Sequence, residues 1–276
     1  MLSAYIVALA VASLSRAAYD GDNVPSYQLP EYEVFCDRNS SIPRQDRVLI
    51  LQFINNQRRR VVRGNQTNGA FWTGKRPNLP RGENMRAMGW SCELEKLAFA
   101  GLNETCSKKS PTAPDGLTGF FDYIEKPEET PWPYRKVWGL GFWFSEIDHT
   151  IMDAPDDGAP VFYYEVNRNY SNLIRYDASR IGCAGMFCNG TKDQYNLFCL
   201  TDKPPLEKYE IIYYAGKGPC PAGRCRQGYE CHEMTGLCVR RSWHTTTTPP
   251  PTTTCKKIYV NFGILLDARD NCKEEE

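Results

Sequence analysis

Cysteine placement constrains this chain more than any other feature. Four of its 12 cysteines crowd one short stretch, Cys220-x4-Cys225-x5-Cys231-x6-Cys238. A stretch of about twenty residues cannot enclose a core of its own, so cross-links must hold it together. The others are Cys36, Cys92, Cys106, Cys183, Cys188, Cys199, Cys255 and Cys272. An even total predicts a disulfide framework in an oxidising compartment, with a connectivity that spacing leaves open. Zinc is the rival reading, but the 3 histidines, His149, His232 and His244, are scattered and no Cys-x-x-Cys pair occurs.

The start of the chain agrees with that compartment. Residues 1–18 contain an apolar run, Ala4 to Leu14, followed by the small residues Ser15 and Ala17. The run is too short to span a bilayer and reads as a signal peptide. Five N-x-S/T sequons, at Asn39, Asn65, Asn103, Asn169 and Asn189, predict a glycosylated surface. Formal charge is +0 and loses one positive charge with Arg16, so no global field draws the protein to nucleic acid.

Between residues 19 and 219 the pattern is helices first and strands last, an α+β layered domain. The first helix is expected from Ser41 as N-cap, with Pro43 in its first turn, to Gly64. Ile50, Leu51, Ile54, Val61 and Val62 form its apolar stripe. Arg58, Arg59, Arg60 and Arg63 crowd its end; a solvated cluster matched to the helix dipole is favoured over a sulfated-glycan site. A second helix is expected over about 85–105, with Met88, Leu94, Leu97 and Ala98 on one face. Residues 107–133 hold five prolines and read as loop. A third helix, Tyr134 to His149, is apolar nearly all round and should be buried between layers. Strands are expected at Ile181–Cys188, Gln194–Leu200 and Tyr209–Ala215, the first two joined by a turn over 189–193. Residues 220–240 form the cysteine-rich module and 241–254 a Thr/Pro-rich linker. In the tail, 255–276, Cys255 and Cys272 could bridge to each other or to another chain.

Several stretches, in this order, resemble the CAP (SCP/TAPS) superfamily, and within it the nematode Ancylostoma-secreted-protein and venom-allergen-like type. Trp90-Ser-Cys-Glu-Leu-Glu-Lys-Leu-Ala98 through Cys106 is similar to the family's W-x-C-x-L/V-E-x-x-A helix. Trp143-Phe-Ser-Glu-Ile147 is similar to W-W-x-E-L/I, and Ile181-Gly-Cys-Ala184 with Phe187-Cys188 to the I/V-G-C-A…C strand. Ile211 to Cys220 is similar to the closing I-Y-x-x-G-x-x-C. The resemblance covers about residues 34–240 and implies a three-layer α-β-α sandwich followed by a cysteine-rich hinge, 220–240.

The resemblance also implies a cleft where two His and two Glu can hold a divalent metal. Carried over one residue at a time, that set is depleted. Ile54 stands in the first His place, Phe120 in the first Glu place and Asn169 in the second His place; Glu146 alone is retained. One carboxylate cannot hold zinc usefully, so neither a metal nor a cofactor is expected. No G-x-S-x-G or H-E-x-x-H occurs, and no catalytic residue is assigned. His149, near Glu146, defines no reaction with it.

The resemblance therefore implies a secreted, non-enzymatic interaction protein, an effector acting on a host extracellular or cell-surface protein. The alternative is a sterol or fatty-acid carrier, with Phe120, Phe121 and Trp132 lining an apolar groove. A metal-dependent hydrolase is disfavoured by the lost ligands.

Overall fold

The computed structural model describes residue 36 and residues 41–69, 78–105, 107–127, 134–155, 159–188, 194–240, 256–262 and 265–271. The leader, the linker, the 189–193 turn, Asn39, Cys106, Trp132, Asn189, Cys255 and Cys272 lie outside the described residues. Helix α1, Arg44–Arg63, begins where the Pro43 carbonyl accepts from Asp46 and Arg47 N–H, two residues later than a Ser41 cap implies. Gly64 ends it in the left-handed region (φ 69°), and Gly64 and Asn65 N–H close onto the Val61 and Arg60 carbonyls.

The second helix starts later than its apolar pattern predicts. Gly82–Glu83 and Gly89–Trp90 form strands β1 and β2, and helix α2 runs Cys92–Thr105. Residues 85–90 are drawn into tertiary pairing instead. Met88 exchanges hydrogen bonds with the Asn55 amide at 2.9 and 2.8 Å, and β2 pairs in parallel with Arg180–Ile181. Ser91 caps α2, its hydroxyl accepting from Leu94 N–H. Leu97, expected on the buried face, is 39% exposed; Leu94, Ala98 and Leu102 face inward.

The proline-rich stretch is not all loop. Strand β3, Thr118–Glu125, occupies its proline-free centre. Helix α3 spans Tyr134–His149 as expected, followed by strand β4 (Pro160–Phe162) and a short helix α4 (Arg168–Ile174) that the pattern did not reveal. On α3, Leu140, Trp143, Phe144 and Ile147 are buried, but Phe142 is 46% exposed, so one side meets solvent. Strands β5 (Arg180–Phe187), β6 (Gln194–Thr201) and β7 (Ile211–Ala215) follow.

The main sheet has the order β2-β5-β6-β3, and β1-β7-β4 form a second, antiparallel sheet. Side chains alternate across each strand. Cys183, Cys199, Leu197 and Phe120 enter the larger core with α1, α3 and α4. Ala184, Phe198 and Leu200 enter the smaller core under α2. This is a three-layer α-β-α sandwich. Gly182 lets α2 approach the sheet: a methyl group there would overlap Glu95 N and the Ser91 carbonyl. Trp90 Nε1 donates to Glu95 Oε2 at 2.8 Å, and Arg47 pairs with the same carboxylate at 3.2 Å, so a buried ion pair ties α1 to α2.

Disulfides join Cys36 to Cys92, Cys183 to its cross-strand partner Cys199, Cys220 to Cys231 and Cys225 to Cys238. Cys188 is also disulfide-bonded. Residues 220–240, with strands β8 (Tyr229–His232) and β9 (Leu237–Arg240), belong to the same compact unit as the sandwich. Cys238 N–H donates to Met85 O and Ala87 N–H to Cys238 O, both at 2.8 Å. Arg226 stacks over Tyr176 and Tyr214, and Arg86 over Tyr229. A segment anchored at both its strand and its side chains is docked, not a free hinge. A second unit contains strands β10 (Lys256–Phe262) and β11 (Leu265–Asn271), paired as a two-stranded antiparallel ribbon.

Candidate functional site

The positions singled out in the sequence come from α1, β3, α3 and α4. Ile54, on α1, is fully buried and belongs to the large core. Phe120, on β3, is 1% exposed, its ring 5.5 Å from that of Trp143 on α3. Phe144 meets Phe53 and Tyr170 edge-on, and these rings pack in the same large core. Phe121 points to the opposite side of the sheet, against the small core. Phe120 and Phe121 thus line no common groove, which corrects the carrier expectation at those residues; strand periodicity separates neighbours.

Glu146 and Asn169 do come together. Asn169 N–H and Nδ2 donate to the two carboxylate oxygens of Glu146 at 2.7 Å each, and Tyr170 N–H donates at 3.0 Å. These backbone donors belong to the first turn of α4, which otherwise lacks partners for them, so Glu146 serves as the anion at that turn. Asn167, in the left-handed region at φ 53°, turns the chain into α4 and donates from Nδ2 to Thr150 O at 2.7 Å. Arg168, the first residue of α4, is exposed. Its Nη1 donates to Asn169 Oδ1 at 3.0 Å and to the Gly119 carbonyl, beside Phe120, at 3.4 Å. Burial raises the Tyr163 hydroxyl above its ordinary pKa; Arg168 opposes that shift and Glu146 adds to it. His149 is exposed on the last turn of α3.

Two of the four positions that the resemblance assigns to metal ligands are therefore core hydrocarbon, the third is an amide, and the carboxylate already accepts three N–H donors. This donor set does not fit a divalent cation. Among the described residues no three His, Cys, Asp or Glu side chains are grouped to hold one.

The rest of the Ile54-Asn-Asn-Gln-Arg58 segment is architectural. Arg58 is fully buried, which corrects its reading as part of a solvated cluster. Its Nε donates to Leu173 O at 2.9 Å and its Nη1 to Arg86 O and Ala178 O at 2.6 and 2.9 Å. Burial lowers its pKa to about 10, against the opposing pull of Asp202 and Asp177, so it stays charged at neutral pH. One guanidinium thereby ties the last turn of α4 to the loops at Arg86 and Ala178. Asn68 holds Met152 with a reciprocal pair of bonds, both 2.8 Å, as Asn55 holds Met88. Isolated asparagines carry no sequence signal for such a role. Of the sequons described, Asn65 and Asn103 are exposed, whereas Asn169 is half-buried and followed by buried Tyr170 and Ser171. Among the described residues no helix is long and apolar enough to cross a membrane.

Residues 51–201 match the family model described as "CAP: Cysteine-rich secretory protein family". Ancylostoma secreted protein of Ancylostoma caninum is 29% identical over 234 residues, which are 76% of this chain and 49% of that protein. The chain thus spans about half the length of the curated relative it matches. Two solved structures share the fold. BmVAL-1 superposes with a TM-score of 0.62 at 22% identity, covering 75% of this chain and 100% of the other. NaASP2, solved with Zn2+, gives 0.60 at 19% identity, covering 74% and 100%. With its sandwich, its cross-strand cystine and its 51–201 match, the chain belongs to the cysteine-rich secretory protein (CAP) family.

Proposed function

We propose that this chain is a secreted, non-enzymatic interaction protein. It is released by a parasitic nematode and acts as an effector on host cells or immunity, by binding an extracellular or cell-surface host protein. The bonding of Glu146 carries this reading. Metal-assisted or general acid–base hydrolysis needs a carboxylate free to hold a cation or take a proton. Here three N–H donors occupy that carboxylate, and buried hydrocarbon, Ile54 and Phe120, stands at two of the other positions that the resemblance assigns to ligands. The disulfides support an oxidising, extracellular setting. The matched Ancylostoma caninum protein is secreted by name.

The test is binding of labelled protein, produced in a glycosylating secretory host, to an array of mammalian extracellular receptor domains. Saturable binding that unlabelled protein displaces supports the reading. No saturable binding, together with a stoichiometric sterol or fatty-acid adduct in native mass spectrometry, replaces it with the carrier reading.

A further inference from the structure

Strand β3 ends the main sheet, and among the described residues no strand pairs with its outer side. The neighbouring strands fix which of its backbone groups face outward. Asp202, one residue past β6, donates its N–H to Arg180 O at the start of β5. Backbone groups alternate in direction along a strand, so Leu200 and Phe198 also point to β5, while Thr201, Cys199, Leu197 and Tyr195 point to β3. Those four stand in register with Thr118, Phe120, Asp122 and Ile124. Gly119, Phe121, Tyr123 and Glu125 therefore turn their N–H and C=O groups outward.

Two of those outward groups are taken by side chains. Asp122 Oδ1 accepts from Tyr123 N–H at 2.8 Å, and Arg168 Nη1 donates to the Gly119 carbonyl at 3.4 Å. Asp122 Oδ2 is buried without a hydrogen-bond partner. A carboxylate held in that way costs stability, and edge strands carry such inward-pointing charges where they must not pair with other chains. Thr118–Glu125 is a strand of that kind, with two Phe, a Tyr and an Ile against two charges. The two taken groups are also complementary. In an antiparallel pair of β3 strands related by a twofold axis at Phe121, Tyr123 of one copy stands opposite Gly119 of the other. The Tyr123 N–H would then donate to that Gly119 carbonyl.

We infer that Asp122 and Arg168 together close the outer edge of β3 against pairing with the β3 edge of a second copy of this chain. Asp122 supplies the acceptor that the Tyr123 N–H would find in the other copy, and Arg168 supplies the donor for the Gly119 carbonyl. The inference does not depend on the effector reading, since it concerns self-association and not the host target.

The experiment is sedimentation velocity of the full chain over a concentration series. Wild type is expected to stay monomeric. The double variant Asp122→Ala with Arg168→Gln should dimerise, with a dissociation constant about ten-fold or more below any shown by wild type. Adding Phe121→Pro removes the outward N–H at the centre of the pairing, leaves the ladder to β6 intact and should restore the monomer. Asp122→Asn keeps an acceptor oxygen for Tyr123 N–H and should stay monomeric at concentrations where Asp122→Ala associates. Amide hydrogen exchange followed by NMR tests the closure in the wild-type fold. Tyr123 N–H should exchange more slowly than Phe121 N–H, and Asp122→Ala should speed Tyr123 selectively. If the double variant does not fold, the exchange comparison decides. A folded double variant that stays monomeric, a dimer that survives Phe121→Pro, or Tyr123 and Phe121 amides that exchange equally in wild type would overturn the inference.

Discussion

Asn169 holds the carboxylate of Glu146 by both its main-chain N–H and its side-chain amide, each at 2.7 Å. Tyr170 N–H adds a third bond, so the one side chain retained from the ligand set that the resemblance implies ties α3 to the first turn of α4. Glu146→Gln keeps the size but removes the charge and turns an N–H group toward donors. It should cost about 1–3 kcal/mol, read as a fall in Tm of about 2–4 °C per kcal/mol in thermal unfolding. A variant as stable as wild type would show that these bonds hold nothing.

Arg58 gathers the carbonyls of Leu173, Arg86 and Ala178 from a fully buried position. Arg58→Met preserves most of the volume but leaves those acceptors without a donor. The expected loss is about 3–5 kcal/mol in chemical denaturation. Arg58→Lys keeps the charge but cannot reach all three and should fall between the two.

Gly182 stands where α2 presses on the sheet, and a Cβ there would collide with backbone atoms of Ser91 and Glu95. Backbone yields less readily than a side-chain end, so Gly182→Ala should destabilise at the upper part of the overpacking range of about 1–3 kcal/mol. Gly116, where a Cβ meets nothing within 4 Å, has a φ of 78°. Gly116→Ala therefore isolates backbone strain from collision. Equal losses in the two variants would refute the close-approach explanation.

Asp122 sits between Phe120 and Ile124 on β3, and its Oδ2 is buried without a hydrogen-bond partner. Burial raises its pKa; the Tyr123 N–H bond to Oδ1 opposes the shift. A carboxyl whose folded pKa is raised contributes stability while protonated, below its unfolded pKa, and loses it as pH rises through the folded value. Asp122→Asn removes that loss. Its denaturation midpoint relative to wild type should therefore improve from pH 3.5 to pH 7, and a gap constant across that range would rule out Asp122 as the cause.

Asn65 and Asn103 present exposed sequons, whereas the Asn169 amide is engaged by Glu146 and Arg168. Enzymatic deglycosylation in heavy-oxygen water followed by peptide mass mapping should mark Asn65 and Asn103 and leave Asn169 unmarked. A marked Asn169 would mean that the Glu146 contact forms around a glycan.

Much of the fold was legible in the order of residues because the relevant signals are local. Helix α3 was readable over Tyr134–His149 from its near-continuous apolar residues, and α1 from its stripe and Gly64. Strand β3 was hidden by prolines at its flanks, although Thr118, Phe120, Tyr123 and Ile124 are residues that favour strands. Residues 85–90 carried an apolar pattern compatible with helix, and pairing with Arg180–Ile181 and with the Asn55 amide overrode it. Helix α4 is too short for periodicity to announce.

By itself, the sequence determined that a disulfide framework exists and the layered α+β class, because composition and periodicity do not depend on distant contacts; the replacements at Ile54, Phe120 and Asn169 were legible only as what the family resemblance implies. Tertiary structure decided which cysteines pair, that Phe120 and Phe121 face opposite cores, that Arg58 is buried while Arg168 is exposed, and that Asn169 closes on Glu146. Those outcomes depend on which buried carbonyls and N–H groups lack partners once the sheet has formed. Only the packed chain brings residues far apart in sequence together to satisfy them.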